Sequence, residues 1–219
     1  MNRRPRLLAT AAFGAATALF LTGCGGGDSD SAGNDKIAGA DTGGESSASP
    51  SASASSAAVE RPKIELPGDL TYTFDWPKTG DAAKDAVLAD SEESIKAVDL
   101  AIVNQDPLDK AYLFYYEGEA AANTETFIKA YVKAKARGTG AYRYYDAVVN
   151  VSGADSASLV YCEDQGKAYD MYLETKKVDK TAVTKNSYVL YNTQLHKNAD
   201  GVWVVEKLLS QRGSAKCQP

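Results

Sequence analysis

Apolar residues recur at helical spacing as far as Arg137 and at alternate positions after Gly140. That change of period restricts the chain to a fold in which helices come first and a sheet follows. Within 81–105, Val87, Leu88, Ile95, Val98 and Ile102 share one helical face, with Thr79 or Asp81 as N-cap and Pro107 as a stop. A short helix is expected over 108–116. A third is expected over 123–137, with Asn123 as N-cap, Phe127, Ile128, Tyr131 and Val132 turned inward, and Gly138 and Gly140 ending it. Strands are expected over 142–151, 157–163, 168–178, 186–196 and 202–211, separated by polar and glycine-containing turns. The expected class is α+β, with N-terminal helices packed against a curved antiparallel sheet built as a meander.

Ahead of this unit stands a leader. Arg3, Arg4 and Arg6 precede an uncharged run from Leu7 to Leu21, which is shorter than the roughly 20 residues a membrane-crossing helix needs. Residues 1–23 therefore read as an export signal. The sequence Leu21-Thr22-Gly23-Cys24 resembles the lipobox of bacterial lipoproteins, in which a diacylglycerol is joined to the cysteine sulfur and the leader is cut just before it. Two acyl chains anchor stably where one would not, at about 0.8 kcal/mol per buried methylene. Cys24 is thus the expected lipidation site, and the expected place is the outer face of the cell membrane. The pair Arg3-Arg4 also suggests twin-arginine export, which Pro5 and Arg6 fit poorly.

From Gly25 to Glu60 the chain holds 9 Ser, 8 Ala and 7 Gly, too little apolar surface to offset the entropy of ordering. Residues 24–64 are expected to be a disordered tether, and 65–219 a single domain. Without the three leader arginines the formal net charge falls from -5 to -8. An acidic chain with no basic stripe is a poor ligand for nucleic acid or for an anionic lipid surface.

The order of elements, Trp203 in the last strand and the stretch from Asp81 to Gln211 resemble the nuclear-transport-factor-2-like cone fold of many actinobacterial secreted lipoproteins. The resemblance implies a pocket between sheet and helices, in which the family's enzymes place an Asp, His or Tyr as base or electrophile.

With Cys24 assigned to lipid, Cys162 and Cys217 remain in an oxidising compartment. A disulfide between them would tie the C-terminal tail to the second strand. The alternative, a catalytic cysteine, needs His196 as base, and His196 lies beside an expected hairpin tip where solvation is the simpler reading. Asp146 sits among Tyr142, Tyr144 and Tyr145, where an acid and phenols could converge, but one alternation step decides its face and an outward side chain is preferred. The adjacent acids Glu92-Glu93 and Glu163-Asp164 read as solvated charge.

Thirteen tyrosines against five phenylalanines are more informative. They offer apolar area with a polar tip, either as a core whose hydroxyls reach the rim or as a groove for a ligand. Tyr115, Tyr142, Tyr144 and Asp146 are the candidates for such a surface. No cofactor or metal motif is present in the sequence. The expected function is a membrane-anchored, non-catalytic binding or scaffolding module whose partner is an envelope protein or a small ligand. The alternatives are a cone-fold enzyme using Asp146 and neighbouring tyrosines, and an accessory subunit of an envelope transport or secretion complex.

Overall fold

The computed structural model describes residues 59–219, and the expected signal, lipidated Cys24 and most of the tether lie outside the described residues. In chain order the elements are β1 (Leu70–Asp75), α1 (Ala82–Val103), α2 (Lys110–Tyr115), α3 (Gly118–Ala134), β2 (Ala136–Ser152), β3 (Ser156–Tyr172), β4 (Val178–Asp179), β5 (Tyr188–Lys197) and β6 (Trp203–Arg212). The sheet runs β1-β2-β3-β5-β6, with β4 paired to β3 at one end. Three helices pack on one face of this curved sheet, so the α+β cone layout expected from the sequence is the one observed. No helix among the described residues is long and apolar enough to cross a membrane.

The helix α1 starts where Asp81 accepts hydrogen bonds from the backbone N–H groups of Ala83 and Lys84, at 2.9 and 3.2 Å. Ser91, Ser94, Ala97 and Ala101 are buried along it, and side chains this small let the helix lie close against the sheet. Its buried Asp90 receives the Trp203 backbone N–H at 2.9 Å and the Arg61 guanidinium at 2.8 and 2.9 Å, which joins α1 to β6 and to the segment ahead of β1. Trp203, Tyr112, Tyr115, Ile102, Ile128 and Leu159 fill the centre of the core.

Several expectations are corrected. The helix α3 begins at Gly118 rather than at Asn123, with Glu117 as an N-cap that makes no side-chain bond, and it ends at Lys135 in a left-handed conformation (φ 49°). Gly138 and Gly140 belong instead to β2. At Gly140 (φ 93°) a Cβ would lie 2.2 Å from the Lys167 carbonyl oxygen, so glycine is demanded there by close strand approach, not by a helix end. The two strands expected at 157–163 and 168–178 are largely one, β3, because Asp164-Gln165-Gly166 is a bulge. The Asp164 carboxylate takes the Gly166 N–H at 2.7 Å, which holds an extra residue in the strand without reversing it. Finally, β1 precedes all the helices and pairs parallel to β2, so the sheet is not purely antiparallel.

The cysteine pair is as expected. Cys162 and Cys217 lie at bonding distance, with Cα atoms 5.5 Å apart across 55 residues. Alternation along β3 turns Leu159, Tyr161 and Glu163 to the helix-covered face and Cys162 to the other. The C-terminal tail therefore lies on the outer face, where the Tyr145 hydroxyl donates to the Cys217 carbonyl.

Candidate functional site

Between the helices and the concave face of the sheet lies a cavity of about 730 Å³. Its roof is α1 through Ile95, Val98 and Asp99, and α3 through Thr124, Phe127 and Tyr131. Its floor is the sheet, through Tyr142 and Tyr144 of β2, Tyr161 and Glu163 of β3, and Tyr191 of β5. Residues of the β4–β5 connection and Arg212 of β6 form one side of the mouth. The reason for a void is the length of the strands. The hairpin of β2 and β3 extends 17 residues a side, and the helices fill only part of the curved surface it offers.

Tyrosines dominate the sheet side of the wall, through Tyr142, Tyr144, Tyr161 and Tyr191. Tyr161 stacks on Tyr191 with centroids 5.0 Å apart, and Phe74 and Tyr72, which do not line the cavity, stack on Tyr144 at 4.9 Å and on Tyr142 at 5.8 Å. At the mouth, half-exposed Phe127 meets Tyr131 edge-on at 5.2 Å. Such pairs present flat faces, with little freedom to lose on contact with a ligand.

Two carboxyl groups are set into this wall. Glu163 is 3% exposed and accepts from Tyr144 at 3.0 Å, Tyr191 at 2.9 Å and Gln165 at 2.8 Å. Burial pushes its carboxyl above the usual range, and the three donors only partly oppose that. Asp99 accepts from the Tyr72 hydroxyl at 2.5 Å. Burial pushes Asp99 up to about 7, against the pull of the Tyr72 hydrogen bond and with help from the Glu163 charge. The phenols of Tyr144, Tyr161 and Tyr191 are all raised, first by burial and then by neighbouring charge, so they stay neutral donors and acceptors. A third acid, Asp170, accepts from Tyr131 at 2.9 Å near the mouth.

Of the residues singled out in the sequence, Tyr142 and Tyr144 line the cavity and Tyr115 and Asp146 do not. Tyr115 is fully enclosed in the core against Phe114, with its hydroxyl unpartnered. Asp146 is exposed at φ 52°, in a bulge where β2 spends three steps, Tyr145 to Val148, against two on β3, Cys162 to Val160. The extra residue shifts the alternation and turns Asp146 to solvent, which is the outward orientation preferred from the sequence. His196 is half-exposed and within 3.1 Å of Glu117 on the surface.

The reading of Glu163-Asp164 as solvated charge is overturned for Glu163, which shares the inward phase of Leu159 and Tyr161. Asp99 is the acid that sequence reasoning missed. Its signal is its place on the stripe of Ile95, Val98 and Ile102, where a solvated acid has no reason to stand. Among the described residues no group of three or more His, Cys, Asp and Glu could hold a metal ion.

No protein-family model matches the chain, and no curated protein sequence matches it. Among solved structures it is similar to a ketosteroid isomerase-like protein from Erwinia carotovora atroseptica SCRI1043, at 14% identity and a TM-score of 0.41, over 61% of this chain and 98% of that one. It is also similar to the intermembrane space region of the chloroplast protein ARC6, at 11% identity and a TM-score of 0.40, over 59% of this chain and 96% of that one. At such identities the similarity is one of layout and assigns no residue a role.

Proposed function

We propose that the chain is a lipid-anchored extracytoplasmic binding module that holds a small molecule in the tyrosine-lined cavity without transforming it. The cavity carries this conclusion. Its volume of about 730 Å³ falls in the range of about 300–1,000 Å³ that takes a ligand of drug size, and it combines aromatic walls with a few fixed polar groups. The lipobox-like sequence Leu21-Thr22-Gly23-Cys24 supports the anchor, and the Ser/Ala/Gly-rich composition after it supports a tether.

The test is retention. The purified full chain is equilibrated with a small-molecule extract of its own culture, and retained compounds are read by mass spectrometry after filtration. A retained compound that is absent when Val98→Trp fills the cavity, with circular dichroism unchanged, supports the function. Retention that is equal in the filled variant contradicts it. Mass analysis of the N-terminal peptide tests the anchor, and an unmodified Cys24 in membrane-associated protein contradicts it.

One observation favours an enzymatic reading, in which the acid is Asp99 and not Asp146. A carboxyl near 7 that shares a 2.5 Å hydrogen bond with Tyr72 is balanced for proton transfer at neutral pH. Deuterium uptake from heavy water into a retained ligand, lost in Asp99→Asn, would decide for this alternative.

A further inference from the structure

The charge on the cavity wall is unbalanced. Asp99, Glu163, Asp170 and Asp179 all line it, and Arg212 is the one basic side chain among the lining residues. Arg212 is exposed at the mouth, where Gln165 Oε1 and the Asn186 carbonyl each accept from its Nη1 at 2.7 Å. Among the described residues the hydrogen-bond partners of Asp99 and Glu163 are uncharged: Tyr72 for the first, and Tyr144, Tyr191 and Gln165 for the second. A carboxylate withdrawn from water without a directly bonded cation is costly, and this cavity holds two: Glu163, buried, which Arg212 reaches only through Gln165, and Asp99, half-buried.

A second observation is independent of the acids. Tyr161 is 4% exposed and lines the cavity, yet its hydroxyl makes no hydrogen bond within the described residues. The hydroxyl of Tyr142, a half-buried side chain on the same wall, makes none either. The buried polar atoms left without a partner among the described residues belong to Trp76, Ser91, Tyr115 and Trp203, so the Tyr161 and Tyr142 oxygens open into the cavity. Here the free oxygens and the negative faces of the stacked rings all point to a guest that carries positive charge and N–H donors.

Building on the ligand-binding function above, we propose that the cavity takes an organic cation, a protonated amine on an aromatic or alicyclic body. Its ammonium group answers Asp99 and Glu163 and donates to the free phenol oxygens, while its body stacks on the tyrosine faces. A bare metal ion lacks a ligand cluster among the described residues. An anion meets acidic walls, and a neutral guest leaves both carboxyls without a directly bonded cation.

The experiment holds the body constant and changes only the charge. Tryptamine, tryptophol and indole-3-acetate share an indole ring and a short side arm that ends in a cation, a neutral hydroxyl and an anion. Titration calorimetry on the purified full chain at about pH 7.5 is expected to rank them in that order, with tryptamine at least about tenfold tighter than tryptophol. Glu163→Gln and Asp99→Asn are each expected to weaken tryptamine by about tenfold or more and to leave tryptophol within about twofold, because only the charged contact is removed. Circular dichroism checks both variants, and the ligand series on the unmodified chain decides alone should either fail to fold. Tryptophol or indole-3-acetate binding as tightly as tryptamine overturns the cation and leaves the ligand-binding function standing. No binding by any of the three also overturns the cation, and the retention experiment then judges the ligand-binding function separately.

Discussion

Asp99 couples the site to stability. Its carboxyl is raised to about 7 in the folded protein, from the ordinary value of 3.8. Between those values the unfolded chain releases a proton that the folded chain keeps, so stability falls as pH rises through this window and levels above it. Each unit of separation is worth about 1.4 kcal/mol, and the fall attributable to Asp99 is therefore several kcal/mol. Thermal unfolding of Asp99→Asn from pH 4 to 8 is expected to show most of that fall removed, whereas an unchanged profile would mean that Asp99 titrates as a solvated acid. At this scale the sequence showed only part of the site. Tyr142 and Tyr144 were legible because tyrosine alternation in a strand is a surface-forming pattern. Glu163 was hidden by its neighbour Asp164, since two adjacent acids look solvated until the phase of the strand is known. The bulge at Asp146 shows why that phase cannot be counted along the chain. One inserted residue exchanges the faces, and only pairing with β3 reveals it.

Two ties hold the elements in place around the cavity. Asp90 sits 2% exposed between α1, β6 and Arg61, and its removal leaves the Trp203 N–H without its acceptor. Asp90→Ala is expected to destabilise the fold by about 3 kcal/mol in denaturant unfolding, and Arg61→Ala by about 1 kcal/mol because that side chain is partly solvated. Equal losses would contradict this division. The disulfide closes a separation of 55 residues, for which chain-entropy arithmetic gives about 4 kcal/mol. Cys217→Ser is accordingly expected to lower the melting temperature by about 10 °C and to leave ligand retention intact, because the bond lies on the face of the sheet opposite the cavity. The helices α1 and α2 and the strands β5 and β6 were readable from period and caps, which are local signals. The strand β1 carries such a signal in Leu70, Tyr72 and Phe74, but its place beside β2, 70 residues on, is a tertiary fact. The joining of two strands into β3 depends on a bulge glycine that in sequence looks the same as a turn glycine.

For the whole molecule, the curved sheet is larger than its helical cover, and the uncovered part becomes a cavity with a tyrosine floor, one buried acid, Glu163, and one half-buried acid, Asp99. The α+β class followed from one change of hydrophobic period. The cavity did not, because it is a difference between two areas that no local pattern records. Whether the cavity is a binding site is decided by native mass spectrometry of the full chain, purified under non-reducing conditions from a bacterial host that exports it. The expected spectrum shows the protein with one bound species of a few hundred daltons that is lost on denaturation. Bare protein that stays bare after incubation with its own culture extract would contradict the account.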